Sequence, residues 1–152
     1  MKLAALGLLV VVLGIMVFGV YRMFREASLS QQVSPELGLF EGRFKDCSSA
    51  PNCVNSYASS EDHGISALPG KKPELEALAE FVAEAPGAKI SVLSENYVRA
   101  EFKSSLFGFV DDLELYFDGN LIQVRSASRV GYSDLGANRA RVENLRSFLE
   151  TR

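Results

Sequence analysis

The sequence predicts an α+β fold: an N-terminal transmembrane helix, then a two-layer domain whose antiparallel sheet of about four strands is covered by two helices. Three observations lead there. Residues 3–21 carry no charged side chain, and at about 1.5 Å per residue they match the roughly 30 Å hydrocarbon core of a bilayer. Two segments, near 73–85 and 134–151, repeat apolar residues at helical spacing. Between them lie four strand-like runs joined by connections too short for parallel crossovers.

The expected division is a membrane anchor over 1–25, a tether over 26–39 and a single α+β domain over 40–152. The apolar run is longer than the core of a usual secretory signal. It is followed by Tyr21-Arg22-Met23-Phe24-Arg25 rather than a small-x-small cleavage site, so a retained anchor is expected over a cleaved signal. No cysteine precedes Cys47, which argues against a lipid-modified N-terminus. Lys2 and the free amine balance Arg22 and Arg25, so the positive-inside rule does not fix the orientation. Ser28 to Gly38, with polar and turn-forming residues from Gln31 to Pro35, has no clear period and reads as a loose tether.

The 152 residues, less the anchor, suit one domain with one core. Setting Lys2, Arg22 and Arg25 aside from the 16 basic residues leaves 13 against 19 acidic ones, a net of −6. An acidic domain of this kind lacks the basic face that nucleic-acid phosphates demand, so the membrane is an expected partner and nucleic acid is not.

Within the domain, Phe40 to Pro69 is an irregular loop holding both cysteines and the only histidine. Pro73-Glu74-Leu75-Glu76 opens a helix to about Ala85, with Leu75, Leu78, Phe81 and Val82 on one face; Pro86-Gly87 ends it. Strands follow at Lys89–Leu93, Tyr97–Lys103, Phe107–Phe117 and Leu121–Arg129, with Asp118-Gly119-Asn120 as the turn between the last two. In the third strand, alternation places Phe107, Phe109, Leu113, Leu115 and Phe117 toward the core, turns Asp112, Glu114 and Tyr116 outward, and leaves Asp111 inward. In the fourth, Ile122, Val124, Ser126 and Ser128 face inward, and Arg125 and Arg129 outward. A last helix, from about Asp134 to Thr151 with Ser133 as N-cap, carries Leu135, Asn138, Val142, Leu145 and Leu149 on one stripe.

Two constellations could carry chemistry. Cys47 and Cys53 close a seven-residue loop around a proline turn. The leading reading is a disulfide, which requires an oxidising compartment. A metal site with His63 has too few ligands and no zinc-finger spacing, and a Cys53–His63 nucleophile pair lacks anything local to lower the thiol pKa. The second is the run Arg125 to Arg141, which passes from a strand through a glycine turn into a helix N-terminus. Either it forms an anion site, with Arg129 and Ser133 beside the helix start, or its arginines pair with Asp112, Glu114 or Glu101 while Ser126, Ser128 or Asn138 satisfies Asp111. Asp111 and Asp112 point to opposite faces and cannot share a metal. No metal, cofactor or catalytic residue is expected.

Pro51-Asn52-Cys53-Val54, Gly108-Phe109-Val110-Asp111-Asp112 and above all Arg125 to Glu143 resemble the bacterial and plastid family called domain of unknown function 1499, over roughly residues 45 to 150. Ser48 and Ala50 stand where the family often shows other small or proline residues, while the cysteine spacing is retained. The resemblance implies an exported or membrane-attached protein and no established activity. It draws attention to Arg125, Ser126, Ser128, Arg129, Asp134, Asn138 and Arg139 as candidate binding residues. The expectation is therefore a single-pass inner-membrane protein with its domain facing the periplasm or another exported side. The domain is expected to act as a binding or scaffold module toward an anionic ligand or an envelope protein; the alternative is a thiol-dependent enzyme or redox protein using Cys53 and His63.

Overall fold

A computed structural model describes residues 2–152, with side chains from Leu6 onward; Met1, where the expected anchor begins, lies outside the described residues. The first element, α1, is one continuous helix over Lys2–Gln32. Its Leu6–Gln32 portion is long and apolar enough to cross a membrane. A signal sequence would have the same character.

Residues 26–32, expected to belong to a loose tether, are helical and docked. Ala27 and Ser30 are fully buried. Ser30 Oγ accepts from the Val110 amide at 3.1 Å; Gln31 Nε2 donates to the Gly108 carbonyl at 3.1 Å, and Gln31 Oε1 accepts from Lys103 Nζ at 3.0 Å. A polar sequence without apolar periodicity gave no sign of this, because the contact is made by hydrogen bonds and one small residue rather than by an apolar stripe.

A short hairpin of β1 (Leu39–Phe40) and β2 (Arg43–Phe44) comes next, then β3 (Cys53–Asn55) and α2 (Lys72–Ala83). Glu74 accepts from the Lys71 amide at the start of α2, and Pro73 sits in its first turn. Four strands follow: β4 (Ala88–Leu93), β5 (Tyr97–Lys103), β6 (Val110–Phe117) and β7 (Ile122–Ser128); α3 (Ala137–Glu150) closes the chain. Gly87 enters β4 with a positive φ of 76°, and a Cβ there would lie 2.3 Å from the Lys103 carbonyl oxygen, so this turn requires glycine. The turn at Asp118-Gly119-Asn120 forms as expected, and Asp118 Oδ1 accepts from the amides of Asn120 and Leu121 at 2.9 Å each.

The main sheet has five strands in the order β3-β7-β6-β5-β4, all antiparallel, rather than about four. The addition is β3, whose three residues are too few to show alternation. One face carries the core: Val98, Ala100, Leu113, Leu115, Ile122 and Val124 pack against Leu75, Leu78 and Val82 of α2, Val142 and Leu145 of α3, and Ile65 and Leu68 of the long loop. The fold class is thus α+β with an N-terminal apolar helix.

Two expectations about faces are corrected. Phe107 and Phe109 precede β6 and stay out of the core; Phe107 instead meets Phe24 of α1 edge-on at 5.4 Å. Asp112 and Glu114 do lie on the face opposite the core, as alternation demands, yet both are buried. The segment after α1 covers them: the Gly38 amide donates to Glu114 Oε1 at 2.7 Å, and the Val33 carbonyl accepts from Arg129.

Candidate functional site

Strand register builds the site. Arg99 on β5, Glu114 on β6 and Arg125 on β7 stand in one cross-strand row, and Glu101 and Asp112 occupy the row beside it. Opposite charges in adjacent positions of an antiparallel sheet attract across the ladder. Arg129, just past β7, binds Asp112 through two nitrogens, Nε at 2.7 Å and Nη2 at 2.8 Å, and reaches Glu101 at 2.6 Å. Arg125 meets Glu114 at 3.3 Å and the Lys45 carbonyl at 3.0 Å; Arg99 meets Asp112 at 3.2 Å. Three guanidinium groups face three carboxylates, so the layer is neutral. Its Asp112 and Glu114 carboxylates are almost completely removed from solvent, which is tolerable only because each is paired and hydrogen-bonded.

Tyr97 closes this layer by donating from Oη to Glu114 Oε1 at 2.7 Å. Burial first, then the negative charge of Glu114 and the hydrogen bond to it, push the Tyr97 phenol well above the ordinary tyrosine value of 10.0. A pKa raised in the folded state means that the unfolded chain loses this proton first. The resulting stabilisation is complete below about pH 10, and is lost as the pH climbs from there toward the folded value. We expect the Tyr97 phenolate absorbance to appear only together with unfolding in an alkaline titration, and the Tyr97→Phe variant to lose this contribution to its alkaline sensitivity.

On the core side, the run after β7 forms a second polar network centred on Asn138, which is fully buried on α3. Its Oδ1 accepts from Ser126 Oγ at 2.6 Å and from Arg141 Nη1 at 2.5 Å. Its Nδ2 donates to Asp134 Oδ2 at 2.7 Å, the Asn52 carbonyl at 3.1 Å and Ser128 Oγ at 3.2 Å. Asp111, the inward carboxylate, accepts from Ser128 Oγ at 2.6 Å and pairs with Arg141 at 2.8 Å. Asn52 Nδ2 in turn donates to the Gly131 carbonyl at 2.8 Å. The network joins the residue before β3 to β6, β7 and α3.

Asp134, rather than Ser133, ties down the start of α3. Its Oδ2 accepts from the Asn138 amide at 2.8 Å and its Oδ1 from the Gly136 amide at 3.0 Å, while Gly136 itself holds the N-cap position in the left-handed conformation. A longer, charged side chain one residue on reaches the unpaired helical amides that a serine at 133 does not. Further along, Arg139 donates to the carbonyls of Gly64 and Asp62 at 2.9 and 3.0 Å, and Arg146 to those of Ser66 and Ala67 at 2.8 and 3.1 Å. These arginines pin the long loop to α3.

The structure thus divides the seven candidate residues between two sides. Arg125 and Arg129 lie in the charged layer on one face; Ser126, Ser128, Asp134 and Asn138 share the network on the other, and Arg139 holds the loop. Sequence reading ended its candidate run on Arg141 but left it out of the binding residues, and it missed Asn52 and Arg99 as members. The position of Arg141, three residues after Asn138, was the available signal, since such a pair shares a helical face.

Cys47 and Cys53 form a disulfide with Cα atoms 5.7 Å apart. The His63 ring meets the Cys53 carbonyl oxygen at 3.0 Å rather than a sulfur, so no imidazole–thiol pair is assembled. Replacing both cysteines by alanine is expected to lower the unfolding free energy by about 2–2.5 kcal/mol for a loop of this length, read as a lower urea midpoint. Among the described residues no group of His, Cys, Asp and Glu side chains could hold a metal ion.

Two hollows accompany these networks. A small one of about 260 Å³ lies above the charged layer and is lined by Lys45, Asp46, Asp112, Arg125, Ser128 and Arg129 among others. A larger, apolar groove of about 680 Å³ runs between α2 and α3 past Phe81, Phe102, Arg141 and Phe148. The Phe81 and Phe148 rings stack at 4.3 Å, and the Arg141 guanidinium lies 4.2 Å over the Phe102 ring.

The geometry is that of a small α+β domain following an apolar helix, held together by a buried arginine–carboxylate layer and an asparagine-centred polar hub. The chain belongs to the family described as Protein of unknown function (DUF1499), whose model matches residues 43–149 and so includes the disulfide and both networks. Neither the comparison with curated proteins nor that with solved structures returns a match.

Proposed function

We propose that this chain is a single-pass envelope protein whose domain is a non-enzymatic binding or scaffold module, held on the exported side of the inner membrane by α1. The observation that carries the reading is the continuity of α1: the apolar stretch and the turn hydrogen-bonded to Val110 and Gly108 belong to one helix. A helix joined in this way fixes how the domain sits over its membrane, which suits presentation of a surface. The Cys47–Cys53 disulfide supports an oxidising, exported location. The arginines of the strand-to-helix run are matched to carboxylates and carbonyls, which favours a scaffold role for that run.

The test is a protease-accessibility assay of the C-terminus in intact and permeabilised cells, combined with thiol labelling. The expected result is cleavage from the exported side and labelling only after reduction. A C-terminus protected until the inner membrane is breached, with thiols that label directly, overturns the reading.

A second reading places an anionic ligand on the charged-layer face beside the end of β7, in the hollow lined by the cations Lys45, Arg125 and Arg129 and by Ser128, together with Glu36, Asp46 and Asp112. Titration of the full chain with inorganic phosphate, followed by its melting temperature, tests it: a saturable rise abolished by Lys45→Gln supports this reading, and a flat response removes it.

A further inference from the structure

We propose that the end of the domain nearest α1 seats itself in the interfacial layer of the same bilayer, through the loops at 104–109 and 129–136. The proposal rests on the reading of α1 as a retained anchor. Strand register sets both loops at one end of the sheet: Lys103 pairs with Val110, Ser128 pairs with Asp111, and the Arg129 amide donates to the Val110 carbonyl. Val110 is also where Ser30 docks, so α1 meets the sheet at this end.

Going back along α1 from Gln31 to Phe24, contacts pass from the base of the first loop, at Lys103 and Gly108, to its tip, at Phe107. The helix therefore leaves the sheet alongside that loop. Phe24 lies only three residues, about 4.5 Å of helical rise, beyond Tyr21, where the uncharged stretch ends. The loop tip is consequently level with the place where headgroups meet hydrocarbon.

The side chains there suit that layer. Leu106 is 74% exposed beside Phe107, and on the other loop Tyr132 and Leu135 are 76% and 96% exposed. Leu135 also has a φ of +55°, a conformation that costs a branched side chain energy and that nothing packed around it within the chain offsets. Aromatic and leucine side chains at a bilayer surface, flanked by cations, are the pattern of an interfacial contact. Arg22, Arg25 and Lys103 supply the cations, although the domain as a whole is acidic. Their local charge complements anionic headgroups.

The chain contains no tryptophan, so a single introduced one reports on its own surroundings. Leu106→Trp, Leu135→Trp, Phe18→Trp in the apolar stretch and Leu93→Trp, exposed at the opposite end of the sheet, are each placed in the full chain. The four proteins are reconstituted into vesicles of phosphatidylethanolamine and phosphatidylglycerol with brominated acyl chains. The expected result is that Phe18→Trp, Leu106→Trp and Leu135→Trp all lose emission relative to unbrominated vesicles, at least about twofold, while Leu93→Trp does not. If Phe18→Trp is quenched but Leu106→Trp and Leu135→Trp behave like Leu93→Trp, the interfacial seat is wrong, and a protein partner becomes the better cover for these residues. If Phe18→Trp is itself unquenched, the anchor reading fails and takes this proposal with it.

Discussion

Arg129→Ala is expected to lower folding stability by about 3–5 kcal/mol, the usual cost of removing one partner from a buried ion pair. The cause is the group left behind. Asp112 is almost fully buried and takes two hydrogen bonds from Arg129, with Arg99 as its remaining charged partner. Without Arg129 the layer holds three carboxylates against two guanidinium groups. The check is a urea midpoint for the full chain in detergent micelles, together with the double variant Arg129→Ala/Asp112→Asn. Because the two residues touch, the double variant should lose less than the sum of the single losses. A loss below about 1 kcal/mol for Arg129→Ala would mean that the layer behaves as exposed pairs do.

Asn138→Ala should cost about 2–4 kcal/mol, for a different reason. The Asn138 amide satisfies groups from four segments, namely Ser126 and Ser128 of β7, the Asn52 carbonyl, Asp134, and Arg141 of its own helix. Deleting it removes these five hydrogen bonds from a buried network at once and leaves the donors and acceptors there under-satisfied. Asn138→Asp keeps the shape but replaces the donating amide with a carboxylate next to Asp134, so it should also be destabilising. Exchange of the α3 amides in either variant reports whether the start of that helix loosens once the side-chain bond from Asn138 to Asp134 is lost.

How much of this was legible in the sequence varied with the kind of interaction. Alternation placed Asp112, Glu114, Arg125 and Arg129 correctly on the side opposite the core, and it placed Asp111 inward with Ser126, Ser128 or Asn138 as candidate partners, of which Ser128 makes the bond. Alternation says which way a side chain points, but not what covers that side. The cover is the stretch from Val33 to Lys45, which contacts the arginines and Glu114 largely through backbone groups that have no sequence signature. The same limit hid the docking of α1, since Ser30 and Gln31 look like linker residues until the Val110 amide and Gly108 carbonyl stand opposite them. The strand-to-helix run was singled out from its arginines and helix start as well as by resemblance, and its physical role emerged only once Asn52, just before β3, and Arg141 of α3 stood beside it. A three-residue strand carries too little pattern to be found alone.

The central claim is that the end of α1 and the segment after it are a fixed part of the domain, seated on the charged layer, so that anchor and module move as one piece. Hydrogen–deuterium exchange of the full chain in lipid nanodiscs measures this directly. The prediction is that the amides of residues 27–33 are protected to a degree comparable with those of β6, and that Arg129→Ala lowers protection in residues 33–40 and β6 together. Complete exchange of residues 27–33 within seconds, beside a protected β6, would contradict the account and return the segment to a loose tether.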